Sequence, residues 1–222
     1  MSGKLIVLEG IDGSGKSTQY ARLCEHLDSD GIRFKRVVFP RYDNESSALI
    51  RMYLAGDFGK KPSDVNAYAA SAFYAVDRYA SFKTDWGEWY EKGGIVLCDR
   101  YTTSNACHQG SKLSEKELPD FLNWLAEFEY VQLELPRPDL VIYLNTELSL
   151  SLEQLRDRQK GTDTKGDIHE NNVEYLRQTL RTGRYAAAHY GWRVVDSIAG
   201  GCRRSIEDIH EEIYSAILEA IR

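Results

Sequence analysis

Short apolar runs alternate with longer segments of helical spacing along the 222 residues of the chain. Five short runs predict β-strands, and they cover residues 5–8, 36–39, 95–98, 140–144 and 193–195. Six longer segments predict helices, and they cover residues 17–29, 64–92, 114–130, 148–158, 170–190 and 205–221. Because strands alternate with helices, we expect one α/β domain over residues 1–222, with a parallel sheet of about five strands covered by helices on both faces.

Composition and charge narrow the class of protein. The chain is 42% hydrophobic, as globular proteins usually are, and its formal net charge is −6. An acidic balance argues against a surface that follows nucleic acid, so we expect no nucleic-acid partner. The first apolar run has four residues before Glu9, too few for a signal peptide or a membrane span, so we expect no membrane partner.

The four cysteines indicate a reducing compartment. They include no Cys-x-x-Cys pair, and no Cys/His cluster has the spacing of a zinc site. We therefore expect free thiols in a cytoplasmic protein.

Residues 10–17, Gly-Ile-Asp-Gly-Ser-Gly-Lys-Ser, match the full P-loop pattern between a predicted strand and a predicted helix. The glycines let backbone N–H groups point at phosphate oxygens, and the helix N-terminus favours the same anion. Lys16 is placed to reach the outer phosphates, and the Ser17 hydroxyl is placed to bind Mg²⁺. The predicted ATP-binding residues are Gly10, Ile11, Asp12, Gly13, Ser14, Gly15, Lys16, Ser17 and Thr18.

A second group of polar residues follows the strand at 95–98. Asp99 and Arg100 lie at its carboxyl end, the edge at which open α/β sheets bind ligands. Asp99 suits Mg²⁺ or its waters, and Arg100 suits a substrate phosphate. The alternative is a structural ion pair that caps the strand.

Two further signals are weaker. Arg41 follows the second strand after Pro40, which fixes the exit direction of the chain. Tyr74 and Arg78 are four residues apart on a predicted helix, so a ring and a guanidinium share one face. Such a pair can stack on a base and hydrogen-bond its edge. The alternative is an amphipathic helix with an ordinary aromatic stripe.

The P-loop by itself does not choose among a motor, a GTPase and a small-molecule kinase. The chain lacks the Asn-Lys-x-Asp guanine motif, and its length leaves little room for motor or helicase modules. A kinase that acts on a small metabolite is therefore favoured.

With these motifs in order, the sequence resembles the thymidylate kinases, which phosphorylate dTMP with ATP. The resemblance rests on residues 9–18, 39–42, 73–78, 99–105, 135–140 and 205–213, and the Asp-Arg-Tyr-Thr-Thr-Ser-Asn and Leu-Pro-Arg-Pro-Asp-Leu segments are its most specific parts. It implies a P-loop nucleoside monophosphate kinase-like fold with a mobile lid at about 156–168. It also implies ATP and Mg²⁺ as cofactors, nucleotide substrates, and a homodimer packed partly through the helix at 64–92.

The resemblance also assigns roles by position. Asp12 would bind the 3′-hydroxyl of the acceptor sugar, while Arg41 and Arg100 would grip its monophosphate. Tyr74, where the family usually has Phe, would stack on the base, and Arg78 would donate to the exocyclic oxygen of the base. The remaining assignments are Phe39, Ser104, Asn105 and His108 as substrate residues and Glu170 as an acid near the metal or the sugar.

The family delivers an additional catalytic arginine either from the P-loop or from the lid. Gly13 occupies the P-loop position here, so the resemblance implies that the charge comes from the lid, with Arg158 and Arg156 as candidates. A solvated helix face is the alternative for each. The implied catalytic set is Lys16, Asp12, Arg100, Arg158 and Arg156.

Two further features depart from the family pattern. His108 stands where many members have an aromatic residue that crowds the sugar 2′ position, which leaves sugar selectivity open. The segment 197–204 is longer than usual and lies where the family contacts adenine, so Arg203 or Arg204 is an adenine candidate.

Three functions compete at this stage. A dTMP kinase is the leading one. Tyr74 and His108 keep open a paralogous deoxynucleotide or deoxynucleoside kinase with a different base preference. A non-catalytic nucleotide-binding protein is opposed by the intact set of Lys16, Ser17, Asp99 and Arg100.

Overall fold

The computed structural model of the protein describes residues 3–162 and 173–222, with side chains described outside 158–172. Its centre is a five-stranded sheet in the order β2-β3-β1-β4-β5, and every neighbouring pair in it is parallel. The strands are β1 (Lys4–Glu9), β2 (Phe34–Val38), β3 (Ile95–Asp99), β4 (Leu140–Asn145) and β5 (Arg193–Asp196). All five predicted runs are therefore strands, and the predicted α/β fold is confirmed.

Helices connect these strands on both sides of the sheet. They are α1 (Lys16–Ser29), α2 (Ala48–Ala55), α3 (Ala67–Ser81), α4 (Gly87–Glu91), α5 (Thr102–Ser104), α6 (Leu118–Glu127), α7 (Leu148–Thr162), α8 (Val173–Tyr190) and α9 (Ile206–Ile221). A two-stranded antiparallel hairpin, β6 (Ile198–Ala199) and β7 (Cys202–Arg203), precedes α9. Among the described residues, none of these helices is long and apolar enough to span a bilayer.

The structure corrects several predicted boundaries. The helix predicted over 64–92 begins at Ala67, because the Asn66 side chain caps it by accepting from Ala69 N at 2.8 Å, and a π-helical turn, Phe82–Trp86, separates α3 from α4. The helix predicted over 114–130 begins at Leu118. Helix α2 and the helical segment over residues 102–112 were not predicted.

The core lies on both faces of the sheet. Along β1, Ile6 and Leu8 face the cluster built with α1 and α9, whereas Leu5 and Val7 face the cluster that contains Trp86. Successive side chains of a strand point to opposite faces, so a strand buried on both faces is apolar throughout. This is why residues 5–8 of β1 are all apolar.

Strand register brings the polar segments to one edge of the sheet. Asp99 at the end of β3 pairs with Leu8 of β1 and with Val38 of β2. The P-loop, residues 39–42 and residues 99–105 therefore leave the sheet side by side, at the carboxyl ends of parallel strands where α/β proteins bind ligands.

Candidate functional site

The P-loop has the backbone that an anion site requires. Gly13 and Gly15 adopt φ values of 73° and 87°, a region that favours glycine, and Gly15, the N-cap residue of α1, has no side chain to cap the helix. The N–H groups of the first turn of α1 therefore face the loop with the positive end of the helix dipole. Lys16 is buried, and its Nζ lies 3.0 Å from Oδ1 of Asp99.

Helix α7 packs directly on the P-loop. The Ser151 hydroxyl donates to the Asp12 carbonyl oxygen at 2.6 Å, and a Cβ added to Gly13 would lie 2.3 Å from the Ser151 carbonyl oxygen. This backbone therefore has no room for a side chain at position 13.

The predicted lid lies further along the same helix. Arg156 is an exposed residue of α7. The side chain of Arg158 and all of Glu170 lie outside the described residues. Their predicted roles stay predictions.

Arg100 is the centre of a charged cluster at the sheet edge. Its Nη2 donates to Oδ1 of Asp12 at 2.5 Å, and its Nη1 lies 3.5 Å from Oε1 of Glu9. Burial by itself would lower the pKa of Arg100, but attraction to Asp12, Glu9 and Asp99 outweighs it and raises the pKa above its ordinary value. The guanidinium is therefore held in its charged form.

The backbone of Arg100 is strained, with φ at 67°. For a residue with a side chain, such a conformation costs about 1–3 kcal/mol and persists only where surrounding contacts impose it. Those contacts include the bond from Arg100 N to the Leu8 carbonyl oxygen at 3.1 Å and the two carboxylates that hold the guanidinium. This backbone conformation directs the guanidinium toward the P-loop, where it pairs with Asp12.

Glu9 is a fully buried carboxylate that sequence reasoning did not assign a role. It accepts from Gly10 N at 2.9 Å, from the Thr103 hydroxyl at 2.7 Å and from the Ser104 hydroxyl at 2.6 Å. It therefore ties the start of the P-loop to residues 103 and 104.

A cavity opens beside this cluster. The structure brings eight predicted substrate residues together in its lining: Asp12, Phe39, Tyr74, Arg78, Arg100, Ser104, Asn105 and His108. We call it the nucleoside cavity.

Arg78 reaches the nucleoside cavity from a buried ion pair. Its Nε and Nη2 donate to the two oxygens of Glu129 at 2.6 and 2.5 Å, and its Nη1 donates to the Tyr101 carbonyl oxygen at 3.3 Å. Glu129 also accepts from the Thr102 hydroxyl at 2.8 Å and from Asn105 Nδ2 at 3.0 Å. One carboxylate therefore orients two residues of the cavity, Arg78 and Asn105.

Sequence reasoning missed Glu129, although a signal was present. The buried residues before it are Leu118, Phe121, Leu122 and Leu125, at helical spacing, and Glu129 continues the same face. An acid on a buried face needs a buried partner.

Arg41 is held beside the nucleoside cavity and is not among its described lining residues. Its Nε lies 3.3 Å from Oδ1 of Asp77, and its Nη2 donates to the Ser46 hydroxyl at 3.1 Å. Asp77 is 1% exposed and also accepts from Arg41 N at 2.9 Å. Asp77, which sequence reasoning did not assign, therefore fixes the chain that follows β2.

His108 contacts Arg100, the arginine that also pairs with Asp12 of the P-loop. Its Nε2 lies 3.1 Å from Nη1 of Arg100, and Tyr175 donates to its carbonyl oxygen at 3.1 Å. A guanidinium only donates, so Nε2 of His108 is the acceptor in this contact. The imidazole therefore helps to orient Arg100.

A second cleft, of about 440 Å³, lies on the other side of the P-loop. Ser14, Gly15 and Thr18 line it, together with Arg203 and Arg204 of the hairpin segment. The two cavities thus flank one phosphate-binding loop, an arrangement suited to two ligands that meet at their phosphates.

Comparison with known proteins agrees with this geometry. A family model described as Thymidylate kinase matches residues 8–213. The chain belongs to the thymidylate kinase family. Among curated members, the thymidylate kinase of Mycobacterium tuberculosis is 33% identical over 192 residues, which cover 85% of this chain and 87% of that protein. The human thymidylate kinase is 30% identical over 222 residues, which cover 99% of this chain and 92% of that protein.

A solved member of the family has the same fold. The structure of thymidylate kinase from Candida albicans superposes with a TM-score of 0.69 at 20% sequence identity, covering all of this chain and 94% of that one. The P-loop kinase fold and the family resemblance implied by the motifs are both confirmed. Membership also makes the chain one of a family of ATP-dependent nucleoside monophosphate kinases.

Proposed function

We propose that the protein transfers the γ-phosphoryl group of ATP to dTMP, giving ADP and dTDP. The observation that carries this proposal is the pair of cavities on either side of one P-loop, with Asp12 in the nucleoside cavity and Ser14 in the cleft opposite. Membership in the thymidylate kinase family supports the choice of acceptor.

On the donor side, the proposal assigns the phosphates of ATP to the P-loop backbone and to Lys16. Arg203 and Arg204, which line the donor cleft, are proposed neighbours of the adenine. Arg204 is held in place by Glu212, at 2.7 Å from its Nη1.

The residues present fit a magnesium ion. Ser17 offers an exposed hydroxyl and Asp99 a carboxylate at the same sheet edge, and Mg²⁺ prefers such oxygen ligands. We assign the ion to Ser17 and Asp99, with Glu170 as a further acid from the predicted set. When bound, Mg²⁺ supplies charge neutralisation at the phosphates.

On the acceptor side, Arg100 and Arg41 are assigned to the monophosphate of dTMP. Asp12 is assigned to the sugar 3′-hydroxyl, and Tyr74 and Arg78 to the base. The other residues assigned to this pocket are Phe39, Ser104, Asn105 and His108.

The chemistry needs positioning and charge neutralisation, because phosphoryl transfer has a loose transition state with charge spread over the phosphate oxygens. Lys16 and Arg100 are both buried or nearly so and are fixed by carboxylates, so they need little reorganisation when that charge develops. These two cations are the proposed electrostatic centre of the reaction.

The test is a coupled assay of ADP release with dTMP, dUMP, dCMP, dGMP, UMP and thymidine as acceptors. We expect the highest kcat/KM with dTMP, and we expect Lys16→Ala to remove turnover while the variant stays folded. Another nucleotide as the best acceptor would overturn the base assignment. A preference for thymidine would overturn the monophosphate roles of Arg41 and Arg100.

A homodimer and a cytoplasmic location belong to the same proposal. Helices α2 and α3 pack together and expose large apolar side chains at i,i+3 spacing, Leu49 and Met52 on α2 and Val76 and Tyr79 on α3. Light scattering should give twice the mass of the chain, and Val76→Glu should lower the measured mass to that of the monomer.

The four cysteines are free thiols, as expected in the cytoplasm, and cell fractionation checks the location.

A further inference from the structure

A second, partly open cavity lies on the far side of the wall of the nucleoside cavity. Residues 101, 104 and 105 line the nucleoside cavity, whereas the intervening Thr102 and Thr103 line this second one. The same helical segment therefore separates the two spaces. We call the second space the rear cavity.

Aromatic side chains form much of the wall of the rear cavity. Tyr130, Tyr190 and Trp192 line it, and the rings of Tyr190 and Trp192 are stacked, with centroids 5.6 Å apart and planes 19° apart. Such walls favour a flat aromatic ligand, because offset ring stacking adds to the burial of apolar surface.

Arg137 gives the rear cavity its charge. Its Cζ lies 4.6 Å from the centroid of the Tyr130 ring, and it forms no ion pair with a carboxylate among the residues that the structure describes. In the nucleoside cavity, by contrast, Arg78 and Arg100 are both paired with acids. An exposed arginine that stacks on a ring at the mouth of a cavity and has no acid partner suits a ligand anion.

The two threonines of the shared wall connect the rear cavity to the buried acids. Thr102 donates to Glu129 at 2.8 Å, and Thr103 donates to Glu9 at 2.7 Å. Glu129 holds Arg78, and Glu9 lies against Arg100. A ligand that displaces this wall would therefore change the positions of both arginines of the nucleoside cavity.

We propose that the rear cavity binds a small planar aromatic molecule with one anionic group, and that its occupancy changes the affinity of the nucleoside cavity for its nucleotide. The ring lies between Tyr130 and the Tyr190–Trp192 stack, and the anion pairs with Arg137. The binding half of this inference is independent of the proposed function, whereas the coupling half rests on dTMP as the nucleotide.

The probe for binding is naphthalene-2-carboxylate, with naphthalene-2-carboxamide as its uncharged counterpart. Isothermal titration calorimetry is performed on the parent protein, on Arg137→Gln and on Arg33→Gln, first without nucleotide and then with saturating dTMP. Arg33 is a matched control, because it is also exposed and its Cζ also lies over a ring, 5.7 Å from the centroid of Trp89.

We expect the carboxylate to bind the parent and Arg33→Gln equally, and to bind Arg137→Gln at least about tenfold more weakly. The carboxamide should not distinguish the three proteins. Equal carboxylate affinity for the parent and Arg137→Gln would overturn the anion site. Complete displacement of the probe by dTMP would place the probe in the nucleoside cavity and overturn the rear-cavity assignment.

The coupling is measured as the dissociation constant for dTMP at rising concentrations of the carboxylate. We expect a change that reaches a plateau once the rear cavity is full, since coupling through a wall is finite. A dissociation constant that stays constant would overturn the coupling, and one that rises without limit would indicate direct competition. Failure of dTMP to bind at all would count against the proposed function and leave the binding test intact.

Discussion

Arg78 forms a bidentate ion pair with Glu129, donating one hydrogen bond to each carboxylate oxygen, and neither side chain is more than 2% exposed. The two residues lie 51 positions apart in the chain. Their pairing fixes the wall of the nucleoside cavity to the helical segment that ends in residues 128–132.

Glu129→Gln should therefore damage both stability and nucleotide binding. Gln keeps the shape of the side chain but leaves the Arg78 charge buried without a counter-charge, which typically costs about 3–5 kcal/mol. Urea unfolding measures the loss. The KM for dTMP should rise as well, because one of the two oxygens that orient Arg78 and Asn105 becomes an NH₂ group that cannot accept a hydrogen bond. Glu127→Gln, at an exposed position of α6, is the matched control and should behave like the parent. Parent-like stability of Glu129→Gln would contradict the role of the pair.

Gly13→Ala should weaken ATP binding. The new Cβ would lie 2.3 Å from the Ser151 carbonyl oxygen, so helix α7 has to move away from the P-loop. The alanine would also have to keep the positive φ of 73° that Gly13 adopts. Gly31 has a similar φ of 71°, but a Cβ there meets no atom of the described residues within 4 Å, so Gly31→Ala should cost only backbone strain, about 1–2 kcal/mol. Calorimetry of ATP binding compares the two variants. Equal ATP affinities for both would mean that the contact with α7 is unimportant.

The predicted lid arginines are tested by Arg156→Gln and Arg158→Gln. An arginine that meets the transferred phosphoryl group acts mainly in the transition state, so its loss should lower kcat by about 10²-fold or more and change KM far less. Arg177→Gln, at an exposed position of α8, controls for the loss of a surface charge. If both lid variants turn over like the control, the additional charge has another source.

The buried amine of Lys112 should make the free energy of unfolding depend on pH between about 7 and 10.5. Burial lowers its pKa from 10.5 to about 7, and its Nζ donates to the Tyr53 hydroxyl at 3.0 Å and to the Val65 carbonyl oxygen at 2.9 Å. Between pH 7 and 10.5 the unfolded chain carries a proton at this amine that the native chain lacks. The native state therefore loses stability as the pH falls through this range, by up to about 1.4 kcal/mol per pH unit.

Lys112→Met should remove this dependence. Urea unfolding of the parent and the variant between pH 7 and 10 should show the parent gaining stability relative to the variant as the pH rises. Lys116→Met, at an exposed neighbouring position, should parallel the parent throughout. A constant difference between the parent and Lys112→Met would show that the amine titrates near its ordinary pKa.

Local pattern was enough to predict the sheet and the edge at which the P-loop, Asp99 and Arg100 lie. The P-loop, Asp99 and Arg100 are defined by residues adjacent in sequence to buried strands, and their placement follows from parallel register. Helix α2 was missed because an apolar segment of eight residues is too short for its period to be distinguished. Residues 102–112 were missed because the Thr, Ser, Asn and Gly that they contain are weak helix formers, and packing against α8 stabilises the helical segment instead.

The buried acids could not be placed from the sequence. Glu9, Asp77 and Glu129 each pair with an arginine that is distant in sequence, so their partners exist only once the chain has folded. In the sequence, Asp77 stands beside Arg78 on the same helix, yet it pairs with Arg41. Adjacent opposite charges therefore mislead, because neighbours on a helix point in different directions.

The close approach of the Ser151 backbone to Gly13 limits which residues the P-loop can carry at position 13. An arginine placed at position 13 needs space that the α7 backbone fills, so a P-loop with an arginine at this position requires a change in α7 as well. A chain with only the arginine would have helix α7 displaced from the P-loop. A designer who wishes to place an arginine at position 13 therefore has to rebuild helix α7 before the P-loop.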